Sequence, residues 1–127
     1  MQEIYDFFQN SSVYFLATLD NDAPKVRPFH TIMLKDDKLY FQTDKNKDVY
    51  RELKNNSNIQ ICALYGDLWL RISANVFEAN LKDEIINEYP DLKITYKGKK
   101  DSLKVFGLDI IDAKLYSYDK IIKQFKV

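Results

Sequence analysis

Polar and hydrophobic positions alternate through much of the first half of this 127-residue chain. Alternation with a period of two is typical of half-buried β-strands. It predicts strands at residues 13–19, 25–34 and 39–43. Polar turn residues at 20–24 and 35–38 separate these three segments, so we expect two consecutive hairpins.

Three further strands are predicted at residues 59–64, 68–77 and 103–118, which makes six in all. Pro28 cannot donate a backbone hydrogen bond, so the strand that contains it should lie at a sheet edge or carry a bulge. Because hairpins dominate, we expect a small, mostly antiparallel β-barrel with appended helices, formed by residues 1–127 as a single domain. Side chains fill a barrel of this size, so a ligand should sit outside it or at a dimer seam.

Helical spacing of apolar residues predicts three short helices, at residues 4–8, 44–55 and 81–89. Asp44 or Asn46 should cap the second helix, because a short polar side chain there can accept a free backbone N–H. The basic segment after the third helix, residues 91–101, contains Gly98, and we expect it to be a mobile loop.

Charge and composition exclude several classes of partner. Nineteen Lys and Arg residues balance nineteen Asp and Glu residues, so no net charge attracts nucleic acid or an anionic membrane. The single cysteine, Cys62, cannot form an internal disulfide and lies in an apolar run, so we expect a buried side chain. No secretory signal and no membrane-length apolar stretch is apparent, and we expect a cytoplasmic protein.

The junction between the third strand and the second helix has the composition of an anion site. Thr43 supplies a hydroxyl, Lys47 a cation in the first helical turn, and the helix start free N–H groups. Arg27 can add a forked donor from the preceding hairpin. Asp44 and Asp48 would have to point away from such an anion. The alternative is a solvated helix start without a ligand.

Few other residues suggest chemistry. His30 is the only histidine, and a partly buried strand histidine is the simpler interpretation than a catalytic base. No group of side chains along the sequence has the spacing of a metal site. Trp69 and Arg71 share one face of a strand, where they form either ordinary sheet surface or the cover of a ring-shaped ligand with an acidic substrate nearby.

Three segments together resemble a known family. They are FLATLDNDAPKVRPF at residues 15–29, KDDKLYFQTDKNKDVYRELKNN at 35–56 and WLRISANVFE at 69–78. Their order and spacing are similar to those of the pyridoxamine 5′-phosphate oxidase-like family of FMN-binding split-barrel proteins, in its short, nitroimidazole-reductase-like branch.

The resemblance implies a six-stranded antiparallel split β-barrel and a homodimer with FMN at the subunit interface. The positions that match the cofactor-binding motifs of the family are Arg27, Pro28, Phe29, His30, Thr43 and Lys47. It implies that the backbone around Phe29 and His30 follows the edge of the flavin ring. Trp69 and Arg71 would approach the flavin from the other subunit.

Two departures from the family bear on function. The chain has no arginine beyond Arg71 and no histidine beyond His30, whereas true pyridoxamine phosphate oxidases bind substrate with such residues near their C-terminus. Ala74 also stands where family members usually have glycine. We therefore expect an FMN-dependent oxidoreductase for a small electrophilic or aromatic substrate, with NAD(P)H as a possible electron donor. The alternative is a barrel that holds FMN or haem without turnover.

Overall fold

Antiparallel strand pairing organises the whole chain, as seen in a computed structural model that describes all 127 residues. Eight strands, four α-helices and one 3₁₀ turn alternate along it. In chain order they are α1 (Gln2–Asn10), β1 (Tyr14–Asp20), β2 (Ala23–Phe29), β3 (Met33–Lys35), β4 (Lys38–Asp44), α2 (Asp48–Asn55), β5 (Asn58–Tyr65), β6 (Leu68–Ala79), α3 (Lys82–Glu88), α4 (Asp91–Thr95), the 3₁₀ turn (Lys100–Ser102), β7 (Leu103–Ser117) and β8 (Lys120–Gln124).

The strands form one curved sheet in the order β2-β1-β5-β6-β7-β4-β3, with β8 added to β7. The sheet does not close, and β2 and β3 are its two ends. This confirms the expected mostly β, antiparallel split barrel with short helices, although it has eight strands instead of six. The position of β2 at an edge is also as Pro28 predicted.

One of the two additional strands arises because the segment predicted at 25–34 is two strands. Residues 30–32 leave the ladder, and tyrosine side chains bind their backbone instead. The Tyr14 hydroxyl donates to the carbonyl of Thr31 at 2.6 Å. The Tyr89 hydroxyl accepts from the Ile32 N–H at 2.9 Å and donates to the Ile32 carbonyl at 2.8 Å. These bonds satisfy the carbonyl of Thr31 and both backbone groups of Ile32, the two buried residues of the break.

The second helix begins later than predicted, at Asp48, and the residue at its N-cap is Lys47. The predicted caps, Asp44 and Asn46, were wrong. The Asp44 carboxylate instead accepts the N–H of Asn46 at 2.8 Å, which forms a polar turn before the helix.

The segment at 91–101 is not a simple loop. α3 ends at Glu88, and only Tyr89 and Pro90, the N-cap of α4, separate the two helices. Leu92 and Tyr96 are buried against a small apolar cluster that also contains Ile85 and Val105. This amphipathic spacing over six residues is too short for a confident helix prediction, and packing against the sheet stabilises it.

The main core lies inside the barrel and contains twenty buried apolar residues. Along β6 the alternation is as predicted, because Leu70, Ile72 and Ala74 are fully buried while Trp69 and Arg71 point outward. The two larger of these side chains, Leu70 and Ile72, each contribute about 1.5–3 kcal/mol when buried. None of the four helices has the length and apolar character needed to cross a membrane.

Candidate functional site

A small cavity lies at the open edge of the barrel, where the end of β2 faces the β4–α2 junction. We call it the cradle. Its volume is about 140 Å³. Its lining includes the six residues that match the cofactor-binding motifs in the sequence: Arg27, Pro28, Phe29, His30, Thr43 and Lys47. Thr31, Gln42 and Val49 complete the lining.

Thr43, which lines the cradle, carries a hydroxyl without a hydrogen-bond partner. Thr43 is only 3% exposed, and its Oγ1 has no hydrogen-bond partner in the protein. The Oε1 of Gln42 is also buried and unpaired. Leaving a buried polar atom unpaired costs about 1–3 kcal/mol, so an orphan in a cavity points to a missing partner.

Lys47 lies at the rim of the cradle and supplies a cation without a counter-charge. Its side chain is exposed, and it forms none of the ion pairs in the structure. Asp44 and Asp48, which could repel an anion, do not line the cavity. The electrostatic environment of the cradle therefore suits an anion.

Arg27 also lines the cradle, but its charge is already balanced. Its Nη2 lies 2.6 Å from Oε1 of Glu52, and its Nη1 donates to Oγ1 of Thr18 at 2.7 Å. Glu52 is 2% exposed and projects from α2 into the barrel wall. An anion in the cradle would thus meet a guanidinium whose fork is largely occupied, and Lys47 is the free cation.

Hydrogen bonds hold residues 30–32 in place, and His30 and Thr31 of this segment line the cradle. Besides the tyrosine bonds described above, the hydroxyl of Thr31 accepts the Gln42 N–H at 3.1 Å, which ties this segment to β4. Phe29 turns its side chain into the core, where it meets Phe41 edge-on at 5.2 Å, so only its backbone is available to a ligand. His30 is exposed, and its Nδ1 lies 3.3 Å from the carbonyl oxygen of Ser12. The prediction of a partly buried strand histidine was therefore wrong.

Trp69 and Arg71 lie elsewhere, on the outer face of the sheet. The rings of Trp69 and Tyr116 stack with centroids 4.1 Å apart and planes 9° apart. The guanidinium of Arg71 lies 4.9 Å from the Trp69 ring centroid. A second cavity of about 390 Å³, which we call the outer cavity, lies beside this stack. Phe15 and Val26 also line it.

Within one chain, the sheet separates the predicted residues that line the cradle from Trp69 and Arg71. Val26 lines the outer cavity and Arg27 the cradle, and consecutive strand residues point to opposite faces. Trp69 and Arg71 therefore cannot cover a ligand in the cradle of their own chain without crossing the β2 edge.

Cys62 is half-buried on the outer cavity and not in the core, contrary to the expectation of a buried side chain. Burial raises the pKa of its thiol, and the nearby Arg71 lowers it by less. A thiol with a raised pKa is a poor nucleophile at neutral pH.

Sequence reasoning missed Glu52, Thr18, Thr31, Gln42 and Tyr116. Glu52 could have been identified from the sequence pattern. It lies three residues after Val49 and next to Leu53, on the apolar face of α2. A carboxylate on such a face needs a buried cation. No three His, Cys, Asp or Glu side chains come close enough together to hold a metal ion.

The sequence matches the family described as pyridoxamine 5′-phosphate oxidase over residues 1–101. No curated protein matches it.

Three solved structures share the fold. A NimC/NimA family protein from Clostridium acetobutylicum has a TM-score of 0.91 at 22% identity, over 100% of this chain and 92% of that one. A pyridoxamine 5′-phosphate oxidase-related, FMN-binding protein from Nostoc punctiforme has a TM-score of 0.73 at 12% identity, over 94% and 84%. A FAD-binding protein from Mesorhizobium loti has a TM-score of 0.68 at 13% identity, over 90% and 91%. At these identities the similarity establishes the fold.

Proposed function

Because the chain belongs to the pyridoxamine 5′-phosphate oxidase family, we propose that it is a flavoprotein that binds FMN with its phosphate in the cradle. One observation carries this proposal. Thr43, whose buried hydroxyl has no hydrogen-bond partner, lines the same cavity as Lys47, a lysine without a counter-charge. Both are groups that a phosphate oxygen would satisfy.

The size of the cradle supports the phosphate end of the ligand only. Its volume of about 140 Å³ equals a few water molecules, each of which occupies about 30 Å³ in the liquid. A three-ring flavin does not fit there. The ring would lie outside the cavity along the backbone of Pro28 to His30.

Each residue of the cradle then has a distinct role. Lys47 provides the charge that attracts the phosphate, and Thr43 provides a hydrogen-bond donor. Arg27 contributes mainly by fixing α2 to β2 through Glu52. The residues therefore fit FMN, with Arg27 acting more through architecture than the sequence suggested.

We further propose an oxidoreductase that reduces a small electrophilic or aromatic substrate with NAD(P)H as electron donor. Bound FMN supplies the hydride or electron transfer that protein side chains cannot perform. The protein holds and orients the flavin. No side chain of the cradle is assigned as a general acid or base. Oxidation of pyridoxamine phosphate is not proposed, because the chain carries no further arginine or histidine after Arg71.

A homodimer is part of this proposal. Val26 is 67% exposed on the outer face, next to Phe15 and the Trp69–Tyr116 stack. An apolar, aromatic patch of this kind is typical of an interface. Since the sheet keeps Trp69 and Arg71 away from their own cradle, a second subunit is the simplest way to bring them to the flavin.

The cofactor is tested by the absorption spectrum of the purified protein, before and after incubation with FMN and removal of the excess. We expect a bound flavin spectrum. Its absence under both conditions rejects the proposal. With flavin bound, mixing with NADH or NADPH without air tests the enzyme: bleaching supports an oxidoreductase, and failure with both favours a barrel that holds FMN or haem without turnover.

The dimer is tested by light scattering of the protein and of Val26→Asp. The substituted side chain is exposed in the monomer, so the variant should fold, while a charge at an apolar interface should separate the subunits. Ala23→Asp, at another exposed position of β2, adds the same single negative charge and is the matched control. Dissociation of both variants alike, or a wild-type monomer with flavin bound, contradicts the proposed interface.

A further inference from the structure

The largest cavity of the protein is not part of the cradle. It lies between α3, α4 and the 3₁₀ turn and has a volume of about 450 Å³. None of its nine lining residues also lines the cradle or the outer cavity. Its volume is within the range of about 300–1,000 Å³ that is typical of small-molecule sites.

The floor of this cavity is apolar. Ile86 comes from α3, and Leu92 and Tyr96 come from α4 and its C-terminal end. Leu92 and Tyr96 are themselves buried in the apolar cluster beneath the two helices, so the floor is held in place from below. A flat hydrophobic body is the kind of ligand group that such a surface accommodates.

The rim of the cavity is cationic. Lys93, Lys97 and Lys100 line it, and the one acidic residue there is Asp83. Lys100 pairs with Asp83. Lys93 and Lys97 have no carboxylate partner in the structure, so two positive charges remain unbalanced above an apolar floor.

Lys93 and Lys97 are four residues apart, with Lys93 in the last turn of α4 and Lys97 just beyond it. Both side chains line the same cavity. Gly98 follows with φ of +75°, a left-handed conformation that ends the helical path there and turns the chain back towards Lys100. The backbone thus brings the three lysines around a single opening.

We propose that this cavity is a second ligand site, which binds a small amphipathic anion: a flat apolar body on Ile86 and Leu92, with a carboxylate between Lys93 and Lys97. A neutral aromatic compound would satisfy the floor and leave the charges unpaired. A small inorganic anion would meet exposed lysines and leave the floor wet. The combination selects an aromatic carboxylate.

The site is tested with 1-naphthoate and its neutral analogue naphthalene-1-methanol. Each is titrated into ¹⁵N-labelled protein, as purified, with any flavin it retains. We expect saturable amide shifts within residues 82–100 for 1-naphthoate, and binding of the neutral analogue that is at least about tenfold weaker. The readout is independent of FMN, so the proposed cofactor can fail while this site stands, and the reverse.

Paired variants identify the charges. Lys93→Gln with Lys97→Gln should weaken 1-naphthoate binding about tenfold, since each exposed pair contributes up to about 1 kcal/mol. Lys120→Gln with Lys126→Gln removes the same charge from residues outside the cavity, and should change the affinity less than about twofold. Equal affinity for the two probes, equal loss in both paired variants, or shifts confined to residues 27–47 would overturn the proposal.

Discussion

The guanidinium of Arg27 lies 2.6 Å from the carboxylate of Glu52, and Glu52 is 2% exposed to solvent. This pair joins the edge strand β2 to helix α2 across the wall of the cradle. Thr18 adds a bond to each partner, because its hydroxyl accepts from Arg27 and donates to Glu52 at 2.5 Å. A residue that the sequence marks as a ligand for phosphate is therefore also a structural counter-ion.

The first prediction concerns stability. Arg27→Ala should lower the free energy of unfolding by about 3–5 kcal/mol, because it leaves the buried Glu52 carboxylate with only Arg51, at 3.8 Å, as a cation nearby. Urea denaturation at pH 7 measures this. Lys38→Ala is the control, since it removes a cation from the exposed pair with Asp109 and should cost about 1 kcal/mol or less.

The double variant Arg27→Ala with Glu52→Gln separates charge from packing. With the carboxylate neutralised, we expect it to recover part of the stability that Arg27→Ala loses, because the buried charge is gone. If the double variant is as unstable as the sum of the two single variants, the pair is not coupled.

The second prediction assigns the attraction for phosphate to Lys47. Lys47→Gln should weaken FMN binding by about 1.5–3 kcal/mol, the contribution of a charged hydrogen bond, while its exposed position keeps stability within about 0.5 kcal/mol. Fluorescence titration of the apoprotein with FMN measures the affinity. Lys45→Gln removes the same charge two residues away and outside the lining of the cradle. A similar loss of affinity in both variants would show a general charge effect instead of a contact.

The third prediction is that one substitution leaves the apoprotein as stable or more stable and weakens FMN binding. Thr43→Val replaces the unpaired buried hydroxyl with a methyl group of similar shape. The apoprotein should be as stable as the wild type or more so, by up to about 1 kcal/mol, while FMN affinity falls by about 0.5–1.5 kcal/mol. Thermal unfolding with and without FMN measures both. A loss of apoprotein stability would mean that the hydroxyl has a partner within the protein.

Local pattern was sufficient for most of the fold. Alternation along β6 and the turn at residues 35–38 depend on neighbours in sequence, and both are as predicted. The break at Ile32 depends on Tyr89, fifty-seven residues later, and no local pattern contains that partner. The last strand, β8, was missed because all five of its residues are exposed, so burial produces no alternation to read.

In the site too, contacts between sequence neighbours could be predicted and contacts between distant residues could not. Thr43 and Lys47 are close in sequence, and their position across a strand-to-helix junction could be predicted. The pairing of Arg27 with Glu52 could not, since their spacing of twenty-five residues acquires meaning only when α2 packs on β1 and β2. Burial, which turns Arg27 from a free donor into a counter-ion, is a property of the folded chain.

The fourth prediction concerns acid stability and Glu78. Burial alone would raise the pKa of this carboxyl, but bonds from Lys54 and Tyr50 outweigh it and hold the pKa below its ordinary value. The stabilisation is therefore complete above the unfolded pKa of about 4.3 and disappears as pH falls through the lower folded pKa. Glu78→Gln should flatten the loss of stability below about pH 4.5 by up to about 1 kcal/mol. Asp22→Asn, an exposed carboxylate outside any ion pair, should leave the profile unchanged.

The fifth prediction concerns Tyr89, whose hydroxyl both donates to and accepts from the backbone of Ile32. Tyr89→Phe keeps the ring and leaves two backbone groups unpaired, so unfolding should become easier by about 1–3 kcal/mol. Because Ile32 directly follows His30 and Thr31, which line the cradle, FMN affinity should fall as well, and amide exchange at Ile32 should accelerate more than at β6. Tyr118→Phe is the control, since that exposed side chain makes no such bond. Faster exchange without weaker FMN binding would show that residues 30–32 do not contribute to the cofactor site. Tyr89 would then have a structural role only.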